Sequence, residues 1–372
     1  TDQMWIDPPP GGAVLLLPAK TRYEQDLQIV KHGGQAFWYS LLLLLAFSAP
    51  LWAGDYWLSQ ISFVLIYAVA GLGLMVLSGF TGLASIGHAA FLGVGAYVQA
   101  VLSAKGWPFP VTMAMAAGLS AAVGVVVGLP ALRVKGIYLA IATLSFGFIV
   151  EEVLARWESV TKGNAGMGVT SPQFFGADLG SSEAFYYIAL GTTVLVTLGV
   201  LNLLRSATGR AFIAIRDSEI SAQSMGIHLA GYKTLAFALS AAIVGLAGAL
   251  YAHKLRFISP DQFGIVQSVD LLLLVVVGGV GSVHGAFLGA IFLITMPQLI
   301  ALGKDWLPPA IGQAAGLQAV VYGVVLMAFV LFEPQGLYGR WLKVRTWLQL
   351  FPFYRKGMFK RQKTYAKSER LK

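Results

Sequence analysis

YWLSQISFVLIYAVAGLGLMVLS, Tyr56–Ser78, runs for 23 residues without one Asp, Glu, Lys or Arg. At a helical rise of about 1.5 Å per residue it reaches about 35 Å, enough to cross a hydrocarbon core of about 30 Å. Similar windows lie at Ala36–Gly54, His88–Ser103, Pro110–Leu132, Gly136–Ala155, Ala184–Leu204, Thr234–Ala252, Val266–Gly281, Gly285–Gly303 and Gln313–Phe332. Repeated runs of this length define an all-α polytopic membrane protein with about ten transmembrane helices.

Composition agrees. The 372 residues are 57% hydrophobic and 12% charged, with a mean hydropathy of +0.71. Soluble domains carry about 25% charge, so charge is depleted about twofold. The absence of cysteine excludes disulfides and thiolate metal sites.

The net charge of +9 has one source. Eleven Lys/Arg lie between Arg340 and Lys372 against Glu369 alone, which leaves 15 basic and 16 acidic residues elsewhere. A cationic tail after a last span reads as a topology anchor near anionic lipid rather than as a nucleic-acid site. Three regions follow: a cytoplasmic N-terminal extension (1–35), a transmembrane domain (36–335) and a basic cytoplasmic tail (336–372). The apolar run Ala13–Leu17 is too short for a signal-peptide core. With the tail inside, ten spans also put the N-terminus, the Arg133/Lys135 turn and the loop 205–233 inside, as the positive-inside rule requires; Lys254 and Arg256 stand against it.

Small residues recur at helix-contact spacing: Gly124 and Gly128; Ala241, Gly245 and Ala249; Gly281, Gly285 and Gly289. In lipid such positions let helix backbones approach closely.

Immediately after the opening stretch comes SGFTGLASIGH, Ser78–His88, with glycines at 79, 82 and 87. Glycine weakens a helix, and hydroxyls offer competing hydrogen bonds. Two readings stand: a broken or re-entrant segment lining a cavity inside the protein, or a tight turn at the cytoplasmic surface. Glu151 and Glu152 close the fifth span, and Asp270 opens the eighth. Acids at such positions are functional candidates. Adjacent helical residues point about 100° apart, and Glu152 is placed at i,i+4 to pair with Arg156.

Outside, TKGNAGMG (Thr161–Gly168) carries turn chemistry suited to a docking lip. Inside, RSATGRAFIAIRDSEISAQSMGIHLAGYK (Arg205–Lys233) reads as a surface helix with an apolar stripe of Ile215, Ala222, Met225 and Leu229, ended by Gly226. Its mixed charge favours a groove in a partner protein over lipid. The sequence has no G-x-x-x-x-G-K-[ST] phosphate loop, no metal-ligand spacing and no catalytic Ser/His/Asp set. The histidines at 32, 88, 228, 253 and 284 read as interfacial or turn residues, so no catalytic and no metal-ligating residue is assigned.

GLASIGHAAFLGVGAY (Gly82–Tyr97), GIYLAIATLSFG (Gly136–Gly147), TKGNAGMG, AIRDSEISAQSMGI (Ala214–Ile227), LAGALYAHKLRFISPDQF (Leu246–Phe263) and GGVGSVHGAFLGA (Gly278–Ala290) together resemble the LivM-type permeases of branched-chain amino-acid ABC importers. The resemblance covers most of residues 60–335, and Lys162 departs from the glycine expected there. It implies a multi-pass subunit of a bacterial inner membrane with both termini cytoplasmic. The implied partners are a second homologous permease subunit, two ABC ATPase subunits and a periplasmic binding protein that delivers leucine, isoleucine or valine. ATP and Mg would bind the ATPase subunits, leaving this chain with no cofactor and no enzymatic site of its own. The loop 205–233 would be the coupling loop, with Arg216, Asp217, Glu219, Ala222 and Gly226 for ATPase contact. Gly79, Thr81, Gly82, Ser85, Gly87, His88, Glu151 and Asp270 are assigned to the translocation path. Thr161, Gly163, Asn164 and Gly166 are assigned to binding-protein contact. Open alternatives are a related importer for urea, amides or other amino acids, or a stand-alone secondary transporter.

Overall fold

A computed structural model of the chain describes residues 33–131, 134, 136–174, 177–178, 180–304, 317–332 and 336–350. Arg133, Lys135, Asp305, Gln313, the extension before residue 33 and the tail after residue 350 lie outside them. The chain divides into two compact units, 1–48 and 49–372. The first contributes the start of helix α1 (Gly33–Trp52), where the Phe37 and Trp38 rings meet edge to face.

In the second unit the helices are α2 (Asp55–Leu74), α3 (His88–Ala104), α4 (Phe109–Ala131), α5 (Ile137–Arg156), a short α6 (Glu158–Thr161) and α7 (Ser182–Arg205). After them come α8 (Ala207–Asp217), α9 (Glu219–Ser224), α10 (Leu229–Leu255), α11 (Ile265–Gly278), α12 (Val283–Lys304), α13 (Leu317–Phe332) and α14 (Gly336–Leu350). Among the described residues seven helices are long and apolar enough to cross a membrane, headed by Asp55–Phe80 with 26 residues and Leu229–Leu255 with 27. The windows at Ala36–Gly54, His88–Ser103 and Gln313–Phe332 correspond to shorter apolar helices.

The core lies around α10, which packs against α2, α3 and α4. Glycine makes this possible. A Cβ on Gly95 would strike the Gly245 carbonyl oxygen, and one on Gly248 the Leu92 carbonyl oxygen. Gly124 faces Ala241 and Phe237, and Gly128 faces Thr234 and Phe237, so the small residues singled out in α4 and α10 pack on each other. Gly285 and Gly289 press on Gly278 and Leu274 in the same way. Gly281 does not share that face, because it lies in the turn before α12 at φ +83°.

The segment between α5 and α7 is pinned by short antiparallel strands. Strand β1 (Met167–Gly168) pairs with β4 (Phe257–Ile258) in the register Met167 to Ile258, while β2 (Gln173–Phe174) pairs with β3 (Ala177–Asp178). Lys254 and Arg256, which the expected topology sets against the charge rule, are both engaged locally. Lys254 Nζ stands 5.7 Å from the Phe63 ring centre and 5.6 Å from that of Phe185. The Arg256 guanidinium donates to the Gly180 carbonyl at 3.0 Å.

Candidate functional site

The opening stretch stays helical for its whole length, but its last turn changes character. Met75–Phe80 widens into a π-helical turn, after which Thr81–Gly87 has no regular structure. Widening frees carbonyls from their usual partners, and the hydroxyls of this segment take them up. Thr81 Oγ1 donates to the Val76 carbonyl at 2.9 Å, and Ser78 Oγ to that of Leu83 at 3.1 Å. Gly82, at φ +75°, turns the chain where a side chain would be strained. Gly82 and Ala84 are exposed, whereas Ser85, Gly87 and His88 are buried.

His88 opens α3 with none of its surface exposed. Its Nδ1 lies 2.7 Å from Ser85 Oγ and its Nε2 lies 2.8 Å from Ser240 Oγ, while Ser240 Oγ donates to the Gly73 carbonyl at 2.7 Å. One tautomer satisfies all three contacts: the Ser85 hydroxyl donates to Nδ1, and Nε2–H donates to Ser240. Ser240 follows Leu229 by eleven residues, about 16 Å along α10. The segment therefore leads from an exposed bend at Gly82 to a deep anchor at His88. Two further helices hold it: Ile86 N–H donates to Thr143 Oγ1 of α5 at 3.1 Å, and Ala89 N–H to Ser268 Oγ of α11 at 3.2 Å. A Cβ on Gly87 would strike the Thr143 carbonyl.

The loop from Arg205 to Lys233 is two helices rather than one. Ser206 caps α8, accepting from Gly209 N–H at 3.2 Å, and Ser218 caps α9, accepting from Ser221 N–H at 3.3 Å. Helix α9 ends in paired bonds, Ile227 N–H to the Ala222 carbonyl at 3.1 Å and Gly226 N–H to that of Gln223 at 3.0 Å. Gly226 sits at φ +83°, so its reading as a helix stop holds. The single apolar stripe does not. Ile215 and Ala222 are buried, while Met225 is 79% exposed and Ile220, outside the stripe, is 82% exposed. Ser218 breaks the helix, and that break rotates the later residues away from the first helix's face. Glu219 also turns inward, pairing with Lys233 Nζ at 2.6 Å. Arg216 reaches back into the protein: Nη1 donates to the Gly79 carbonyl at 3.2 Å, while Nε and Nη2 each lie 3.2 Å from Asp217 Oδ1.

The acids lie apart from this break. Glu152 pairs with Arg156 as its spacing requires. Glu151 sets its carboxylate against Gly264, which precedes α11. Glu151, Glu152 and Phe148 line an open depression, and Phe148 also lines a smaller one with Ile86, Gly264 and Ser268. Asp270 is half-buried on α11, which carries Gln267; the Gln267 amide donates to Tyr67 Oη at 3.0 Å.

In the loop after α5, Thr161 is buried and donates to the Leu154 carbonyl at 2.7 Å, a role in loop closure. Gly166, at φ +73°, lies against Phe257 and Ile258, Gly163 is buried, and Asn164 is exposed. Lys162 takes φ +65°, the left-handed conformation that explains why glycine suits this position.

Sequence reasoning missed Ser240, Thr143 and Ser268, because each meets the break from a distant helix. It also misread two histidines. His88 is fully buried, and His253 is 5% exposed with Nε2 at 2.7 Å from Gln99 Nε2 and Nδ1 at 3.0 Å from the Thr170 carbonyl oxygen. His228 does sit at a turn, accepting from Gly231 N–H at 3.1 Å.

Apolar helices interlocked through glycine, a long helix that breaks beside a polar cluster, and a helical loop tied to that break define a polytopic helical membrane protein. Residues 56–330 match the permease component of branched-chain amino acid transport systems, and the chain belongs to that family. It is 31% identical over 328 residues to the high-affinity branched-chain amino acid transport system permease protein LivM of Salmonella typhimurium, covering 82% of this chain and 75% of the relative. To LivM of Escherichia coli it is 32% identical over 321 residues, covering 80% and 73%. The autoinducer 2 import system permease protein LsrC of an Enterobacter species is 28% identical over 221 residues, covering 57% and 62%. No solved structure matches the chain.

Proposed function

We propose that this chain is the permease subunit of an ATP-driven importer for leucine, isoleucine and valine. The family match over residues 56–330 carries this reading. In it, a binding protein delivers the amino acid to the outer face, a second homologous permease subunit completes the path, and two ATPase subunits supply the work. The chain itself is a transport subunit without an ATPase site, a cofactor or a metal. It sits in a bacterial inner membrane with both termini cytoplasmic, crossing ten times if the three shorter apolar helices also span.

The broken segment Gly79–His88 acts as the moving part of the path in this reading. Its support is the combination of a glycine bend, a π-helical turn and a buried polar anchor in one short stretch. The loop of α8 and α9 receives the ATPase, with Ile220 and Met225 as the apolar side chains available to a partner's groove. Glu219 and Ala222 support that surface from within rather than forming it.

The test is reconstitution with the companion chains in vesicles. Uptake of labelled leucine, isoleucine and valine that requires ATP, the binding protein and all subunits is the expected result. Uptake by this chain alone, or transport of urea with no response to the three amino acids, overturns the proposal.

A further inference from the structure

Two glycine bends far apart in sequence meet at one arginine. Arg216 Nη1 donates to the Gly79 carbonyl at 3.2 Å. A Cβ on Gly82 would stand 2.8 Å from Arg216 Cγ and 3.3 Å from its Cα, so the bend rests on the stem of that side chain. A Cβ on Gly281 would stand 3.3 Å from Nη1 and 3.5 Å from the Gly79 carbonyl oxygen, which brings the turn between α11 and α12 to the same spot. That turn is tied to the π-helical segment as well, since Gly281 N–H points at Met75 Sδ at 3.1 Å. On its other edge the guanidinium is held by Asp217. Its planar fork presents donors on two fixed, separate edges, so both attachments form at once; an ammonium has its donors on a single atom.

The residue is therefore clamped between α8, the broken segment and the α11–α12 turn, yet its side chain keeps 38% of its surface exposed. The broken segment continues from this clamp to Ile86, which lines the depression shared with Phe148 and Ser268. A displacement of α8 that carries Arg216 with it pulls on Gly79 and Gly82 directly, with no other side chain between.

We propose that Arg216 is a positioning residue that transmits movement of the α8–α9 loop to the Gly79–Gly87 segment, with Asp217 fixing its orientation. The inference rests on the reading above, in which an ATPase subunit docks on that loop. It assigns Arg216 to the interior linkage rather than to the docking surface. Coupling of this kind runs through physically contiguous groups and is established only by showing that both ends bias one element.

The experiment uses the assembled importer with Ala84→Cys as a label; the chain is otherwise free of cysteine and Ala84 is exposed. The thiol-labelling rate is measured with and without a non-hydrolysable ATP analogue, and uptake per ATP hydrolysed is measured in matched vesicles. Nucleotide is expected to change the labelling rate in the parent. Arg216→Ala should abolish that change and lower uptake per ATP about tenfold, within the range that mutations along coupling networks produce. Arg216→Lys should retain part of both, because the ammonium keeps one bond of the fork.

Full response and full uptake per ATP in either variant overturn the inference. If Arg216→Ala does not assemble, Arg216→Lys alone decides: a reduced response supports the inference and an undiminished one overturns it. A parent complex that takes up solute with no ATPase subunit present overturns the underlying reading and the inference with it. A responsive parent with equally responsive variants overturns the inference alone.

Discussion

Lys233 Nζ lies 2.6 Å from Glu219 Oε1, and only 3% of the lysine side chain is exposed. The pair fastens the short helix α9 to the first turn of α10 across the Gly226 stop. Removing one member of an ion pair so withdrawn from water leaves the other without its partner. Lys233→Ala is expected to destabilise the protein by about 3 kcal/mol, the low end of the cost of breaking a buried pair, since Glu219 keeps 23% exposure. The combined Lys233→Met, Glu219→Gln variant should recover most of that loss. Denaturation midpoints in detergent measure both; a fully destabilised double variant would refute the assignment.

Gly95 and Gly191 both lie in long apolar helices, but they meet different surroundings. A Cβ at Gly95 collides with backbone of α10, while one at Gly191 meets nothing within 4 Å. Gly95→Ala is expected to cost about 1–3 kcal/mol through forced separation of α3 from α10. Gly191→Ala should be neutral or stabilise by up to about 1 kcal/mol through helix propensity. Thermal unfolding of the two variants side by side gives the comparison, and equal effects would contradict the packing described.

Lys162 holds φ +65° and ψ 10° without being glycine. Lys162→Gly should therefore stabilise the loop after α5 by about 1 kcal/mol, and Lys162→Val should destabilise it by more. Hydrogen exchange at Gly163 and Leu154 reads the loop locally. Faster exchange in the glycine variant would show that the conformation is supported some other way.

Ile220 and Ala222 stand two residues apart on α9 with opposite exposures, 82% and 1%. Ile220→Asp is expected to leave the melting behaviour alone and to weaken retention of the ATPase subunits about tenfold or more, as loss of an apolar anchor does. Ala222→Asp should instead lower stability, because it buries a charge. Co-purification ratios and melting curves on the same preparations separate the two effects. Undiminished retention in Ile220→Asp would remove that residue from the docking surface.

The long helices were legible because span length and absence of charge are local properties, and the Tyr56–Ser78 window lies wholly inside the helix Asp55–Phe80. The glycine bend after it was legible for the same reason. The direction in which each loop residue points was not. Met225 sits on the periodic stripe yet is exposed, because Ser218 restarts the helix and changes which side faces inward, a break that periodicity alone passes over. Partners across the fold were equally hidden. His88 meets Ser240 across 152 positions, and Arg216 meets Gly79 across 137. Nothing in the spacing of a short segment encodes such pairs, since they are decided by how the helices pack.

Backbone presses on backbone where Gly95 meets Gly245 and where Gly248 meets Leu92. Such a seam has no side chains whose rotamers can absorb sliding, so α3 and α10 travel together as one stiff strut. By contrast α5 and α7 are lightly held, with only 22% of the residues in the apolar window of each buried within the chain, so slack in the bundle lies at that periphery rather than in the strut.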